Sequence, residues 1–319
     1  MRKPFLQLAL AKAKGIPPKP FQTTLTATSS WPFTVDRPPS VSRPTRIAVL
    51  DSSFNPPTLA HYHLLKAASK VGCDAVLLLL ATNNVDKGQT GAGAVERLEM
   101  MEAMALNSIQ SEKEDSALRH MAVGLTIHAR FMDKAQPILD TYPPNTVQLS
   151  WIMGHDTMTR LFDPKYYKDV HTDMAPFFEQ CDVICSSRPG YGSREEMMRF
   201  VQASGHGDKV TLVDIEDESD LEGGGGGGGD GSPGSRVEGQ VEGLTLAEAD
   251  KEVDVDKVDH GSIRRGGEKR SSKVYDLPVK EMSSTVVRNA VKSQDWGLAE
   301  HCVLPSVRQV IERNGLYKE

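Results

Sequence analysis

Residues 46–65 read RIAVLDSSFNPPTLAHYHLL, and this stretch decides the fold. Its first six residues are mostly apolar and partly β-branched, which predicts a short buried strand. The residues at 55–57, one asparagine and two prolines, break that strand and predict a rigid turn. Thr58 then stands at the N-cap of a helix whose apolar spacing continues to Gly72, a helix stop. The stretch therefore predicts a strand, a tight turn and a helix in succession.

The same alternation continues along the chain. Further apolar runs predict strands at 74–82, 146–154, 181–189, 208–215 and 272–279, and helical periodicity appears at 91–108, 128–140 and 193–203. Strands that are almost wholly apolar and alternate with helices predict an α/β fold, a doubly wound parallel sheet covered on both faces. Such sheets bind ligands beyond the carboxyl ends of their strands, and the turn at 55–57 lies at one such end.

Two segments depart from this pattern. Residues 1–45 are basic, rich in proline, serine and threonine, and contain no acid before Asp36, which predicts a disordered tail. Within it, residues 3–13 favour a short basic amphipathic helix, and the segment as a whole has the composition of a mitochondrial presequence as an alternative. Residues 216–271 contain seven consecutive glycines among dense charges and predict a flexible acidic insertion, which leaves 46–215 and 272–319 as one folded domain.

Composition narrows the function classes. The chain has 319 residues and a formal net charge of −6, so general binding of nucleic acid is not expected. It contains no apolar run long enough to span a membrane. Four scattered cysteines favour a reducing compartment, cytoplasmic or nuclear, with the mitochondrion as the alternative. The CxxxC pair Cys181 and Cys185 lies in an apolar run, which favours buried thiols over metal ligands, and no metal site is predicted.

The turn and helix after the first strand predict a phosphate site. A helix N-terminus attracts anions through its free N–H groups and its dipole. His61 follows Thr58 by three residues, so that the hydroxyl and the imidazole face the same point. The alternative is that Thr58 only caps the helix and that His61 and His63 are ordinary surface residues.

Several motifs, in order, carry a resemblance to a known family. SFNPPTLAHYHLL (53–65) resembles the [H/T]xGH signature of the nucleotidylyltransferase superfamily, in the form found in nicotinamide mononucleotide adenylyltransferases. EMSSTVVRNAV (281–291) resembles the ISSTxxR motif, and WIMGHD (151–156) resembles the GxD segment. NNVDKG (83–88) places Lys87 where the family has a lysine, and VERLEMMEAMA resembles the RxxMxxxA helix. The chain thus resembles a divergent, fungal-type member.

The resemblance implies a Rossmann-like nucleotidylyltransferase domain over 46–215 and 272–319. It implies adenylyl transfer from ATP, brought with Mg²⁺, to nicotinamide mononucleotide, with NAD and pyrophosphate as products. Catalytic roles fall to Thr58, His61 and Arg288. Nucleotide-binding roles fall to Ser53, Phe54, Asn55, Lys87, Gly154, Asp156, Ser283, Ser284 and Thr285. Neither a membrane nor a nucleic acid is an expected partner, and no oligomeric state is predicted.

Departures from the family pattern keep other functions open. Ser52 and Ala60 stand where glycine is common, and the aromatic residue that stacks on the pyridine is replaced by Tyr166 or Tyr167. One alternative is adenylyl or cytidylyl transfer to another phosphate acceptor. Another is a nucleotide-binding regulatory module or a slow ATP hydrolase of the same fold. A transferase would release pyrophosphate only with its acceptor, whereas a hydrolase would release orthophosphate without one.

Overall fold

The computed structural model describes residues 2–15, 18–82, 91–112, 116–186, 194–214, 275 and 277–319. Within these residues, seven strands form one sheet in the order β1-β4-β3-β2-β5-β6-β7. The strands are β1 Phe21–Thr26, β2 Thr45–Asp51, β3 Ala75–Ala81, β4 Met121–Thr126, β5 Val147–Gly154, β6 Cys181–Ser186 and β7 Val210–Val213. Strands β2 to β7 are parallel, and β1 pairs antiparallel with β4 at the edge. The predicted α/β fold with a doubly wound parallel sheet is confirmed.

The strand order reverses between β2 and β5. The chain runs outward from β2 through β3 to β4, and then returns to the other side of β2 to add β5, β6 and β7. Carboxyl ends of strands on either side of such a reversal diverge and leave a crevice. The turn at 55–57 and the GxD segment therefore meet at the same crevice.

Helices cover both faces of the sheet. They are α1 Arg2–Ala13, α2 Leu59–Lys70, α3 Ala94–Ser111, α4 Phe131–Leu139, α5 His155–Leu161, α6 Val170–Gln180, α7 Arg194–Ala203, α8 Ser284–Lys292, α9 Trp296–Cys302 and α10 Pro305–Asn314. Along β2, Ala48 and Leu50 pack into one core cluster, whereas Ile47 and Val49 pack into the other. This alternation, with both faces buried, explains why the strand is continuously apolar. In the described residues, no helix is long and apolar enough to cross a membrane.

The expected disordered tail at 1–45 was wrong where α1 and β1 form, and the short helix expected at 3–13 corresponds to α1. The face of α1 that carries Leu6, Ala9 and Ala13 is buried, and β1 adds a strand to the sheet. Trp31 is also buried and donates its indole N–H to the carbonyl of His120. The threonine-rich β1 has only two apolar residues, so its pairing depends on backbone hydrogen bonds to β4 that hydrophobic periodicity does not reveal.

The predicted strand at 272–279 is also wrong in its described part. Residues 279–281 form a 3₁₀ turn that leads into α8, and residues 277–278 have no strand pairing. Residues 215–274 lie outside the described residues, so the acidic insertion at 216–271 stays a prediction.

Candidate active site at the carboxyl ends of β2 and β5

The histidine of the first motif is held by the residues that precede it. Thr58 is fully buried, and its backbone N–H and its hydroxyl lie 3.1 and 2.9 Å from Nδ1 of His61. A backbone amide can only donate, so Nδ1 is the acceptor in the neutral ring and the proton lies on Nε2. Nε2 lies 3.1 Å from the hydroxyl oxygen of Ser52. His61 is therefore oriented to donate a hydrogen bond at the carboxyl end of β2.

The second motif docks on the same turn. Ser283 is the N-cap of α8 and accepts the backbone N–H of Val286 at 3.3 Å. The next residue, Ser284, donates its hydroxyl to the carbonyl of Pro56 at 2.7 Å. Arg288, one turn further along α8, donates to the carbonyl of Asn55 at 2.7 Å. Two helix N-termini, those of α2 and α8, are thus fixed around one short turn.

Thr285 shares the outer part of this arrangement. Its hydroxyl accepts from the second guanidinium nitrogen of Arg288 at 3.0 Å, and its side chain lies on the exposed first turn of α8. The guanidinium is half-buried and is held by two oxygen acceptors. A planar fork held in this way keeps its orientation better than a mobile side chain would.

The side chain of Asn55 stabilises the turn through hydrogen bonds inside the protein. Its side-chain oxygen accepts the backbone N–H of Ala92 and the hydroxyl of Tyr317, each at 3.0 Å. Gly91 has φ +119°, and a Cβ there would lie 2.7 Å from the amide nitrogen of Asn55. Phe54 has a fully buried side chain, so a contact of Phe54 with a nucleotide would be made through its backbone. The side chains of Asn55 and Phe54 therefore make their contacts inside the protein.

The GxD segment lies at the end of the neighbouring strand. Gly154 ends β5 and is the N-cap of α5, and the carboxylate of Asp156 lies 3.0 Å from the guanidinium of Arg160. A Cβ at Gly154 would come within 3.0 Å of the Asp156 carboxylate, so a small residue is needed there. Lys87 lies outside the described residues, and its expected role stays a prediction.

A cavity of about 440 Å³ opens between these strand ends. Its walls are partly aromatic and partly cationic. They comprise Asp51, Ser52, Ser53, Ala81, Arg97, Ala129, Arg130, Phe131, Met132, Lys134, Thr157, Arg160, Leu161, Tyr166 and Tyr167. Both tyrosines expected to replace the stacking aromatic residue are thus present. Tyr166 is largely exposed, whereas Tyr167 donates its hydroxyl to the carbonyl of Leu161 at 2.6 Å. A crevice of this size, lined by aromatic and charged side chains, suits a small-molecule ligand.

Sequence reasoning missed an ion pair in this cavity. Asp51 is the last residue of β2, and its carboxylate accepts from the ammonium of Lys134 on α4. The side chains of Lys134 and Asp51 are 1% and 11% exposed. Burial raises the pKa of Asp51 above its ordinary value, and the positive charge of Lys134 opposes that rise. The signal for Lys134 was present in the sequence, because it shares a helix face with Phe131, Ala135 and Ile138.

Arg97 is a second cavity residue without a predicted role. It is almost fully buried on α3 and donates to the carbonyls of Ala92 at 2.7 Å and Ser53 at 3.3 Å. Burial lowers the pKa of this guanidinium below its ordinary value. Arg97, the arginine of the RxxMxxxA helix, therefore fixes the carbonyl of Ser53 against the cavity wall.

Comparison with known proteins supports the motif assignment. The family model described as cytidylyltransferase-like matches residues 49–217. A Schizosaccharomyces pombe protein provisionally named a nicotinamide mononucleotide adenylyltransferase is 35% identical over 146 residues, which are 44% of this chain and 53% of that protein. A Neisseria gonorrhoeae protein provisionally named a nicotinate-nucleotide adenylyltransferase is 27% identical over 117 residues, which are 36% of this chain and 55% of that protein. The chain spans about half the length of these two relatives.

A solved structure has the same fold. Plasmodium falciparum nicotinic acid mononucleotide adenylyltransferase complexed with NaAD superposes with a TM-score of 0.51 at 11% identity, over 86% of this chain and 97% of that chain. At this identity the likeness concerns the architecture alone.

Proposed function

Because the chain belongs to the cytidylyltransferase-like family, we propose that it transfers the adenylyl group of ATP to nicotinamide mononucleotide. The products are NAD and pyrophosphate. The motifs, the provisional names of the curated relatives and the geometry of the crevice support this proposal together. The family itself is established by a match over more than half of the chain.

The observation that carries the proposal is the meeting of two phosphate-binding motifs at one turn. Thr58 and His61 come from the end of β2, and Ser284 and Arg288 come from a helix more than 200 residues later. Both helices point their N-termini at this turn, and both motifs supply donors that suit phosphate oxygens. An arrangement that gathers two helix N-termini, an imidazole and a guanidinium suits a polyphosphate.

The reaction needs little acid–base chemistry. A phosphate oxygen of the mononucleotide attacks the α-phosphorus of ATP and forms a new P–O bond, while the bond to the bridging oxygen breaks and pyrophosphate leaves with its electron pair. The phosphate monoester is already an anion near neutral pH, so no general base is required. Catalysis then rests on positioning and on stabilisation of developing negative charge.

His61 is the residue best placed to stabilise that charge. Thr58 holds its Nδ1 as an acceptor, so the Nε2 proton is available to an oxygen of the α-phosphate in place of Ser52. Arg288 and the first turn of α8 bind the β- and γ-phosphates, and Lys87 adds a positive charge. Asp156 contacts the nucleotide near Gly154, where the backbone is approached closely.

Magnesium is part of the ATP substrate in this proposal. In the described residues, histidine, cysteine, aspartate and glutamate side chains form no group of three that could hold a metal ion. The described donors of the phosphate site are N–H and O–H groups, which suit phosphate oxygens and not a cation. A Mg²⁺ ion that is bound mainly by the phosphates and by water is compatible with such a site.

The test measures whether product release depends on the acceptor. The purified chain is incubated with MgATP, with and without nicotinamide mononucleotide, and NAD, pyrophosphate and orthophosphate are measured. The proposal predicts equal amounts of NAD and pyrophosphate, and neither without the acceptor. Release of orthophosphate without acceptor, and no NAD with it, would overturn the transferase assignment in favour of an ATP hydrolase.

A further inference from the structure

We propose that the buried pair of Asp51 and Lys134 selects the carboxamide form of the acceptor over the carboxylate form. This inference rests on the proposed adenylyl transfer and adds residues that determine specificity in the cavity that Ser53 also lines. The pair is a buried charged feature of the cavity wall and was predicted by none of the motifs. It lies on the opposite core face of β2 from the helix that carries His61.

The position of the pair follows from the alternation of β2. Ile47, Val49 and Asp51 share one strand face, which packs against α4 and α5. Lys134 comes from α4, and its ammonium lies 5.0 Å from the centre of the Phe131 ring. Phe131 in turn lines the cavity and contacts the buried Trp151 at 5.3 Å between ring centres. An apolar and aromatic surface therefore surrounds one carboxylate and one ammonium.

Of the other charged wall residues, Arg97 is buried and donates to the carbonyls of Ala92 and Ser53, whereas Arg130 and Arg160 lie at the rim. Arg130, the N-cap residue of α4, pairs with Asp133 at 2.9 Å, and Arg160 pairs with Asp156 at 3.0 Å within α5. Both arginines are largely exposed, at 73% and 65%. Water screens such exposed pairs strongly, so they discriminate little between two ligands. A difference of one charge on the ligand therefore has a larger effect at the buried pair than at these exposed arginines.

A carboxamide and a carboxylate would form different hydrogen bonds with this pair. The amide offers an N–H donor that Asp51 can accept and a carbonyl oxygen that Lys134 can bind. A carboxylate has no donor, so one of its oxygens would face the Asp51 carboxylate while it competes for Lys134. Sites that pair a buried acceptor with a ligand donor reject analogues that lack the donor. The pair thus complements the neutral amide and repels the acid.

The experiment compares two acceptors in four proteins. Initial rates with MgATP are measured for nicotinamide mononucleotide and for nicotinic acid mononucleotide, and the ratio of the two kcat/KM values is taken. The variants are Asp51→Asn, the double variant Asp51→Asn with Lys134→Gln, and Asp182→Asn. Asp182 is the matched control because it pairs with Arg46 at 3.0 Å on the same sheet, at the opposite ends of the strands.

We expect the wild type to prefer the amide at least tenfold, and Asp51→Asn to lower that preference at least tenfold by accepting the acid better. The control should change the ratio less than twofold. If Asp51→Asn does not fold because Lys134 is left unpaired, the double variant is read in the same way.

Three results would overturn the inference while adenylyl transfer stands. They are a wild type that prefers the acid, an unchanged ratio in the variants, or an equal loss of both activities. A wild type that forms neither dinucleotide would instead overturn the proposed function itself.

Discussion

The guanidinium of Arg288 donates a hydrogen bond to the backbone carbonyl of Asn55 at 2.7 Å, although 233 residues separate the two in sequence. This bond ties the start of α8 to the turn that follows β2. The adjacent bond from Ser284 to Pro56 does the same. The two motifs proposed to bind phosphate are therefore one physical unit, and a change in either one is expected to disturb the other.

The Arg288→Lys substitution tests the role of the planar guanidinium group of Arg288. Lysine keeps the charge but cannot hold Asn55 and Thr285 at once while it also faces a phosphate. We expect kcat/KM for NAD formation to fall by about tenfold or more. Lys292→Ala, on the exposed end of the same helix, is the control and should change the rate less than twofold. A wild-type rate in Arg288→Lys would contradict the assigned role.

We expect the side chain of Asn55 to contribute to the free energy of unfolding. Asn55→Ala leaves the backbone N–H of Ala92 and the hydroxyl of Tyr317 without their shared acceptor. We expect the free energy of unfolding to fall by about 2–3 kcal/mol, against about 1 kcal/mol for Tyr317→Phe. Denaturant unfolding monitored by circular dichroism measures both. The two losses should not add in the double variant, and full additivity would show that the residues act independently.

The four cysteines should resist alkylation in the folded protein. Burial raises the pKa of Cys73 and Cys302 to about 11, and that of Cys181 and Cys185 to about 12. The unfolded chain loses these protons first, so their contribution to stability is full below the ordinary thiol pKa and is lost as the pH rises towards 11–12.

The measurement is iodoacetamide labelling at pH 8, read by mass spectrometry. At this pH the folded thiols have at most about a hundredth of the ordinary thiolate fraction. We expect no labelling of the native protein under conditions that label all four residues in denaturant. Rapid native labelling of Cys181 or Cys185 would mean that β6 is not buried in solution.

The sequence predicted the central architecture because its strands are strongly apolar. The strand at 46–51 and the helix after Thr58 match β2 and α2 closely, since proline, threonine and glycine mark their ends. β4 was missed because Gly124 interrupts its apolar run and because the polar residues Arg119 and His120 directly precede the strand. A strand whose pairing partners are distant in sequence leaves little local signal when its own composition is mixed.

The half of the site that is proposed to bind phosphate was easier to predict than the cavity. Thr58, His61, Ser284 and Arg288 belong to compact motifs, and the structure brings them to one turn. The pair of Asp51 and Lys134 comes from a strand end and a helix that carry no motif. Its members meet only because β2 and α4 pack together, so tertiary structure was needed to find it.

The most direct test of adenylyl transfer at this site compares His61→Ala with His63→Ala. Both changes lie on α2, but His63 is two residues further on and contacts Tyr62 edge-to-face. With MgATP and nicotinamide mononucleotide, we expect His61→Ala to lower kcat/KM for NAD formation by about a hundredfold, and His63→Ala to change it less than twofold. Equal NAD formation by His61→Ala and the wild type would contradict the account.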